Sequence, residues 1–207
     1  MSLRASLFGA ALTLVTAGQG LAQEVVGSTV LGGKKVHLLS DNTWKFAESE
    51  TSSRCVSVHV NIEFCGSFSN WRPTAKTGDF SVMFHHSGNI YAGLIIEEFG
   101  WDEGSSFEFM RSAALEHAAF VSQVPIEQIP VLDVYDVKID GHHGETMVYG
   151  AVIDGLNVVY ANTLLITQDL TVQSLVWNVG KEFDAEFQTW NADFLDNLKL
   201  AIDEDVQ

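Results

Sequence analysis

The chain has 207 residues, with 27 acidic against 11 basic side chains and a formal charge of −16 when histidine is neutral. At 46% hydrophobic and 11% aromatic the composition is that of a globular protein, not a disordered one. The acidity argues against nucleic-acid binding, which sets Lys and Arg on phosphates, and against docking on an anionic membrane.

The first 22 residues read as an export signal. Arg4 supplies a positive start, Leu7–Val15 is an apolar run too short to span a bilayer, and Gly20-Leu21-Ala22 places small residues before a cleavage site. The mature chain is expected to begin at Gln23, in the periplasm or outside the cell. Removing residues 1–22 removes one basic residue and no acid, which leaves a charge of −17. No later run is long and apolar enough for a spanning helix, so no transmembrane segment is expected after signal removal. The rest divides into a small β unit with its linker over 23–54 and an α+β domain over 55–207 that opens on a cysteine loop.

In the small unit, Val30-Leu31, Gly32-Gly33 and Val36–Leu39 predict a hairpin. Asp41-Asn42 marks a turn and Thr43–Phe46 a third strand. Residues 48–54 (ESETSSR) are polar and read as a linker. Cys55 and Cys65 are the two cysteines, and the segment between them alternates apolar and polar like one strand. A straight strand of that length covers about 33 Å. A disulfide needs Cα atoms within about 7 Å. Either the segment folds back near Asn61 or the bond does not form, and an oxidising compartment favours folding back.

Pro73 is expected to close any strand that follows Phe68. Phe80–His85 and Ile90–Glu97 flank Ser87-Gly88-Asn89 and predict a hairpin. Ser105-Ser106-Phe107-Glu108 has the form of a capping box and opens a helix. Phe107, Met110, Ala114, His117 and Val121 fall on one stripe of it, with His117 at the core edge. Pro125 and Pro130 prevent its continuation. Four strands follow over Val131–Ile139, Glu145–Ile153, Leu156–Thr167 and Thr171–Val179. Their links are short, so neighbours are antiparallel, and Asp154-Gly155 signals a two-residue type I′ hairpin. A last helix starts near Asp184, with Phe187, Trp190, Phe194, Leu198 and Ala201 on one face. The fold class is α+β: an antiparallel β-sheet of about six strands packed by two amphipathic helices, preceded by a small β-hairpin unit.

This order resembles the PsbP/DcrB-like exported α/β/α sandwich over about 68–203. The resemblance rests on Phe80–Glu97, the capped helix from Ser105, the Asp154-Gly155 hairpin with Tyr149 and Tyr160 beside it, and the closing Phe194-Leu195-Asp196-Asn197-Leu198. It is topological. The family has extrinsic, envelope and partner-binding members and no shared catalytic residues, so it implies none here. Separately, Val36–Phe46 resembles a V-x-L-x-x-D-G-T-W-x-[YF] segment common near the start of exported bacterial proteins. Asn42 stands where Gly is usual, and Asn tolerates the positive φ such a turn needs.

Two histidine pairs, His85-His86 and His142-His143, lie at hairpin tips and are the candidate metal ligands. Neighbours on a strand point to opposite faces, so each pair offers one ligand per face, and exposed turn histidines are the plainer reading. There is no H-E-x-x-H, C-x-x-C, G-x-S-x-G, P-loop or G-x-G-x-x-G. No catalytic residue is assigned and no cofactor is expected. Carboxylates group at Glu97-Glu98 with Asp102-Glu103, at Glu182-Asp184-Glu186 and at Asp203-Glu204-Asp205. Such runs are ordinarily solvated faces. The first group differs because aromatic residues alternate with acids in a strand-to-helix loop. Glu97, Glu98, Phe99, Trp101 and Asp102 are therefore the candidate partner-binding residues. The function expected is that of an exported, non-enzymatic envelope protein that binds a protein partner, a cationic one by charge. The alternatives are a hydrolase or metal-dependent enzyme with a dispersed site, or a small-ligand or metal-ion carrier.

Overall fold

Asp140-Gly141 and Asp154-Gly155 take positive φ at both positions, 49° and 95° in the first and 51° and 78° in the second. That is the requirement of a type I′ turn, whose twist matches the strands it joins. The two turns organise the larger sheet. The computed structural model describes residues 24–31, 34–46, 55–66, 68, 70–180 and 183–201. The signal segment, the Gly32-Gly33 turn, the 48–54 linker, Glu182 and the Asp203–Asp205 acids lie outside the described residues.

The chain opens with β1 (Val25–Leu31), β2 (Lys34–Leu39) and β3 (Trp44–Phe46). These form a three-stranded antiparallel sheet. Asn42 has φ 64°, as the turn before β3 requires. Next come β4 (Val56–His59) and β5 (Ile62–Phe64), antiparallel around the Val60-Asn61 turn. The alternating segment thus folds back, and Cys55 and Cys65 are joined by a disulfide with Cα atoms 4.0 Å apart.

The larger sheet takes β6 (Arg72–Thr74), β7 (Val82–His85) and β8 (Ile90–Glu97), then helix α1 (Phe107–Ser122) crosses over it. The meander β9 (Val131–Ile139), β10 (His142–Ile153), β11 (Leu156–Ile166) and β12 (Thr171–Val179) follows. Helix α2 (Ala185–Asp196) and strand β13 (Leu198–Leu200) close the described chain. The strand order is β6-β7-β8-β12-β11-β10-β9, and β13 joins β5 and β4 in a third sheet. No helix among the described residues is long and apolar enough to cross a membrane.

Strand alternation sorts the core onto two faces. On β10, Val148 belongs to the cluster under α2, with Phe187, Phe194 and Leu195. Its neighbours Met147 and Tyr149 belong to the cluster under α1, with Ala118 and Ala119. The helices therefore lie on opposite faces of the sheet. On the α1 side a row of rings crosses five strands in register: His85, Tyr91, Trp177, Tyr160 and Tyr149. Successive rings are 4.8, 5.7, 6.2 and 5.4 Å apart. Burial pushes the Tyr160 hydroxyl up to a pKa of about 12.

Several local expectations shift. Pro73 does not close β6 but sits inside it, because an edge strand needs no N–H on its open side. The larger sheet accordingly has seven strands. The cap of α1 is Ser106, whose hydroxyl accepts from the Phe109 N–H at 3.1 Å. Ser105 is buried and shares a hydrogen bond of 2.8 Å with the Thr171 hydroxyl. The buried face of α1 centres on Met110, Ala118 and Ala119, whose small side chains permit close approach to the sheet, and His117 is exposed. The link Asp140–Gly144 shortens to two residues, so His142 and His143 belong to β10. Asp184, expected in the first turn of α2, is instead its cap, and the helix ends at Asp196, so Leu198 and Leu200 enter β13 through a period of two.

Alkylation of the folded, unreduced protein is expected to label neither Cys55 nor Cys65. Replacing both by Ser should lower stability by up to about 3 kcal/mol in denaturant unfolding. A second expectation concerns Asp140. The Leu200 N–H donates to its carboxylate at 2.9 Å and Lys199 Nζ lies 3.2 Å away, which ties the β9–β10 turn to β13. The Leu200 bond is the largest influence holding its pKa below the ordinary carboxylate value. A depressed acid stabilises the fold above its unfolded pKa, and that stabilisation disappears as pH falls through the folded value. Unfolding measured below about pH 4 should show wild type losing its advantage over Asp140→Asn, which tolerates the same positive φ.

Candidate functional site

Glu97 ends β8, and the chain must then turn toward α1. Gly100 makes this turn against the β11–β12 link: a Cβ there would stand 2.2 Å from the Gln168 carbonyl oxygen. Only glycine permits that approach. Backbone bonds then fasten the loop, from Trp101 N–H to Thr167 O at 2.9 Å and from Asp102 N–H to Gln168 O at 3.2 Å. The Gln168 side-chain amide donates to Asp102 Oδ2 at 2.7 Å, and the Thr171 hydroxyl donates to Phe99 O at 2.6 Å.

This anchored loop forms one wall of a cleft of about 850 Å³. The loop contributes Glu98, Asp102 and Glu103 to the lining, and the β11–β12 link contributes Gln168, Asp169 and Leu170. The opposite wall is the disulfide-closed hairpin, through His59, Val60 and Asn61, with Ala201 after β13. Four carboxylates thus converge from two segments, and among the described residues no Lys or Arg lines the cleft. His59 Nδ1 is buried there without a hydrogen-bond partner.

The residues singled out from sequence divide between this cleft and its back. Glu98 and Asp102 line it. Glu97 is exposed beside the sheet, where Gln173 donates to its carboxylate at 3.3 Å. Phe99 is half-buried with its ring 6.1 Å from Phe109. Trp101 is 36% exposed and meets Phe107 edge-on at 5.7 Å.

The two histidine pairs stand far apart. His85 lies on the ring row that crosses β10 at Tyr149, which is about 20 Å along that strand from His143. His85 Nε2 is 3.1 Å from Gly88 O. His86 packs on Trp71 and Trp190, and burial holds its pKa below the usual histidine value, with Asp193 opposing. His143 Nε2 is 3.3 Å from Asp136 and its ring meets Phe107. His142 is half-buried at the start of β10. Among the described residues the one compact group of potential ligands is Cys55, Glu63 and Cys65, and its sulfurs are committed to the disulfide.

His59, Gln168 and Asp169 carried no sequence signal as site residues. His59 sits in an alternating strand pattern, and Asp169 in a three-residue link. Each reaches the cleft because the disulfide hairpin and the sheet end are brought together by distant packing.

No family model matches the sequence, and no curated protein matches it. LpqN, a protein involved in cell envelope biogenesis of Mycobacterium tuberculosis, aligns at a TM-score of 0.42 and 11% identity, over 73% of this chain and 87% of that one. Cyanobacterial PsbP (CyanoP) from Synechocystis sp. PCC 6803 aligns at a TM-score of 0.53 and 11% identity, over 74% of this chain and 96% of that one. The likeness is one of fold: two helices on opposite faces of an antiparallel sheet make this chain a PsbP-like sandwich.

Proposed function

We propose that the chain is an exported, non-enzymatic envelope protein that binds a protein partner through the acid-lined cleft. The observation that carries this reading is the convergence of Glu98, Asp102, Glu103 and Asp169 on one concave surface that has no Lys or Arg among the described residues. Such a surface attracts a segment bearing Lys or Arg and repels an acidic one. The loop that carries three of these acids is pinned by backbone bonds, so the charges are held in place before binding. The signal-like first 22 residues and the disulfide support export, with the mature chain beginning at Gln23 in the periplasm or beyond. Trp101, partly exposed at the back of the same loop, is the aromatic contact of the surface.

A lysine-rich peptide titrated into the full chain should bind more weakly as salt is raised. Combining Glu98→Gln, Asp102→Asn and Glu103→Gln should weaken it about tenfold or more. Glu116→Gln on the exposed face of α1 should leave it unchanged. Binding that ignores both salt and the triple substitution would remove the cleft as the site. Trp101→Ala should weaken the same complex and cost less than about 2 kcal/mol of stability, against about 3–5 for a buried indole. A thermal melt showing the larger loss would make Trp101 a packing residue and leave the acids alone as the surface.

A further inference from the structure

The two free edges of the seven-stranded sheet are unlike. β6 has three residues and carries Pro73, so it offers a short and interrupted edge. β9 has nine residues and no proline, and β10 is its only strand neighbour among the described residues. Ile139 and His142 close a two-residue hairpin, so they form a narrow, doubly hydrogen-bonded pair. Bonded positions then alternate back along β9. The N–H and C=O groups of Val134, Asp136 and Lys138 consequently point away from β10. One of these donors is occupied locally: the Val134 N–H donates to the Asp133 carboxylate at 2.9 Å.

The start of this edge is apolar, with Val131, Leu132 and Val134 exposed at 46, 47 and 43%. β10 runs on to Ile153, past its pairing with Val131, and leaves a step at the corner of the sheet. A second cleft, of about 730 Å³, opens at this step. Pro130, Leu132, Val152, Val158 and Phe183 are among its walls, and among the described residues none of its lining is charged. Farther along the edge lie Asp133 and Asp136, the latter 80% exposed, and then Lys138.

We propose that β9 is a strand-addition edge for an extended segment of another protein that alternates apolar and basic side chains. The segment pairs with the outward backbone groups of Val134, Asp136 and Lys138. Its basic side chain takes the Asp133 carboxylate, which releases the Val134 N–H to an incoming carbonyl. One apolar side chain enters the cleft beside Leu132. Charge selects this occupant over a second copy of the chain, which would bring another Asp133 and another Asp136 against a single Lys138, and a net charge of −16, to the same edge. The proposal uses residues separate from the acid-lined cleft and stands without it.

The probe is a labelled Val-Lys-Val-Lys-Val-Lys-Val peptide added to the full chain, beside the same peptide with Glu for Lys. The lysine peptide should bind about tenfold or more tightly than the glutamate peptide. It should slow hydrogen exchange at the Val134, Asp136 and Lys138 amides. Val134→Pro removes one outward donor at an edge position where proline is tolerated, and should weaken binding about tenfold. If that variant does not fold, Leu132→Lys, which places a positive charge at the cleft mouth, should weaken the lysine peptide instead. Asp102→Asn with Glu103→Gln should leave the β9 protection unchanged, whatever share of the total affinity the acid-lined cleft contributes. The proposal is overturned by equal binding of the two peptides or by unprotected β9 amides. It is overturned equally by loss of the β9 protection on changing Asp102 and Glu103 alone. Protection of the β9 amides in a dimer of the free chain would assign the edge to a second copy and reject it as well.

Discussion

Phe194 lies where the separate parts of the molecule meet. Its ring is 5.0 Å from Phe64 on β5, 4.9 Å from Trp71 before β6 and 5.5 Å from Phe84 on β7, and all four residues are fully buried. Burial of each such side chain contributes about 1.5–3 kcal/mol, so this cluster is a large share of a net stability of only about 5–15 kcal/mol. A directional bond adds to it: Trp71 Nε1 donates to Asp193 Oδ2 at 2.7 Å, and Asp193 precedes Phe194 on α2. The hydrophobic term brings the helix down, and the indole bond sets its rotation. β13 follows α2 immediately and pairs with β5, so the third sheet takes its position from the same contacts.

The acid-lined cleft inherits this dependence. One wall is a loop clamped to the larger sheet, and the other is the hairpin of the third sheet. Phe194 does not line the cleft, yet the separation of its walls is fixed by how the two sheets pack around it. Gly100 sets the first wall by approaching the Gln168 backbone more closely than any side chain allows. The disulfide sets the second by holding the ends of a tight hairpin. The acid-lined cleft is therefore preformed, and on the proposed function a basic segment arriving there has little of the protein to reorganise.

Much of the architecture was legible where local chemistry decides conformation. Asp-Gly between apolar runs marks the β10–β11 hairpin, while Asp140-Gly141 reads as part of a longer link, and the bounds of β9 and β12 follow the alternation of Val131–Ile139 and Thr171–Val179. Asp184 was readable as a helix start because an acid is favoured near a helix N-terminus. Legibility failed where two local rules competed. Leu198 fits a helical face and a period-two strand equally, and only the open edge of β5 decides between them. Pro73 reads as a terminator until its place at a sheet edge is known. Glu98 and Asp102 were visible as acids in a strand-to-helix loop. His59 and Asp169 were not, since what makes them neighbours of that loop is the packing of distant segments.

The order of strands has a further consequence for how the chain reaches this state. β9 to β12 are consecutive in sequence and space, so their pairings close over two- and four-residue links. β8 pairs with β12, although α1 and three strands intervene. Closing that seam means ordering a long loop before any contact rewards it, and loop closure of this kind slows folding more than it lowers stability. The meander is the low-contact-order half of the larger sheet, and the β8–β12 seam is that sheet's long-range joint. The ring row straddles this seam, with Tyr91 on one side and Trp177 on the other. A sheet joined in the wrong register would leave those rings unstacked, so the long-range joint of this sheet also carries a distinctive means of recognising its correct alignment.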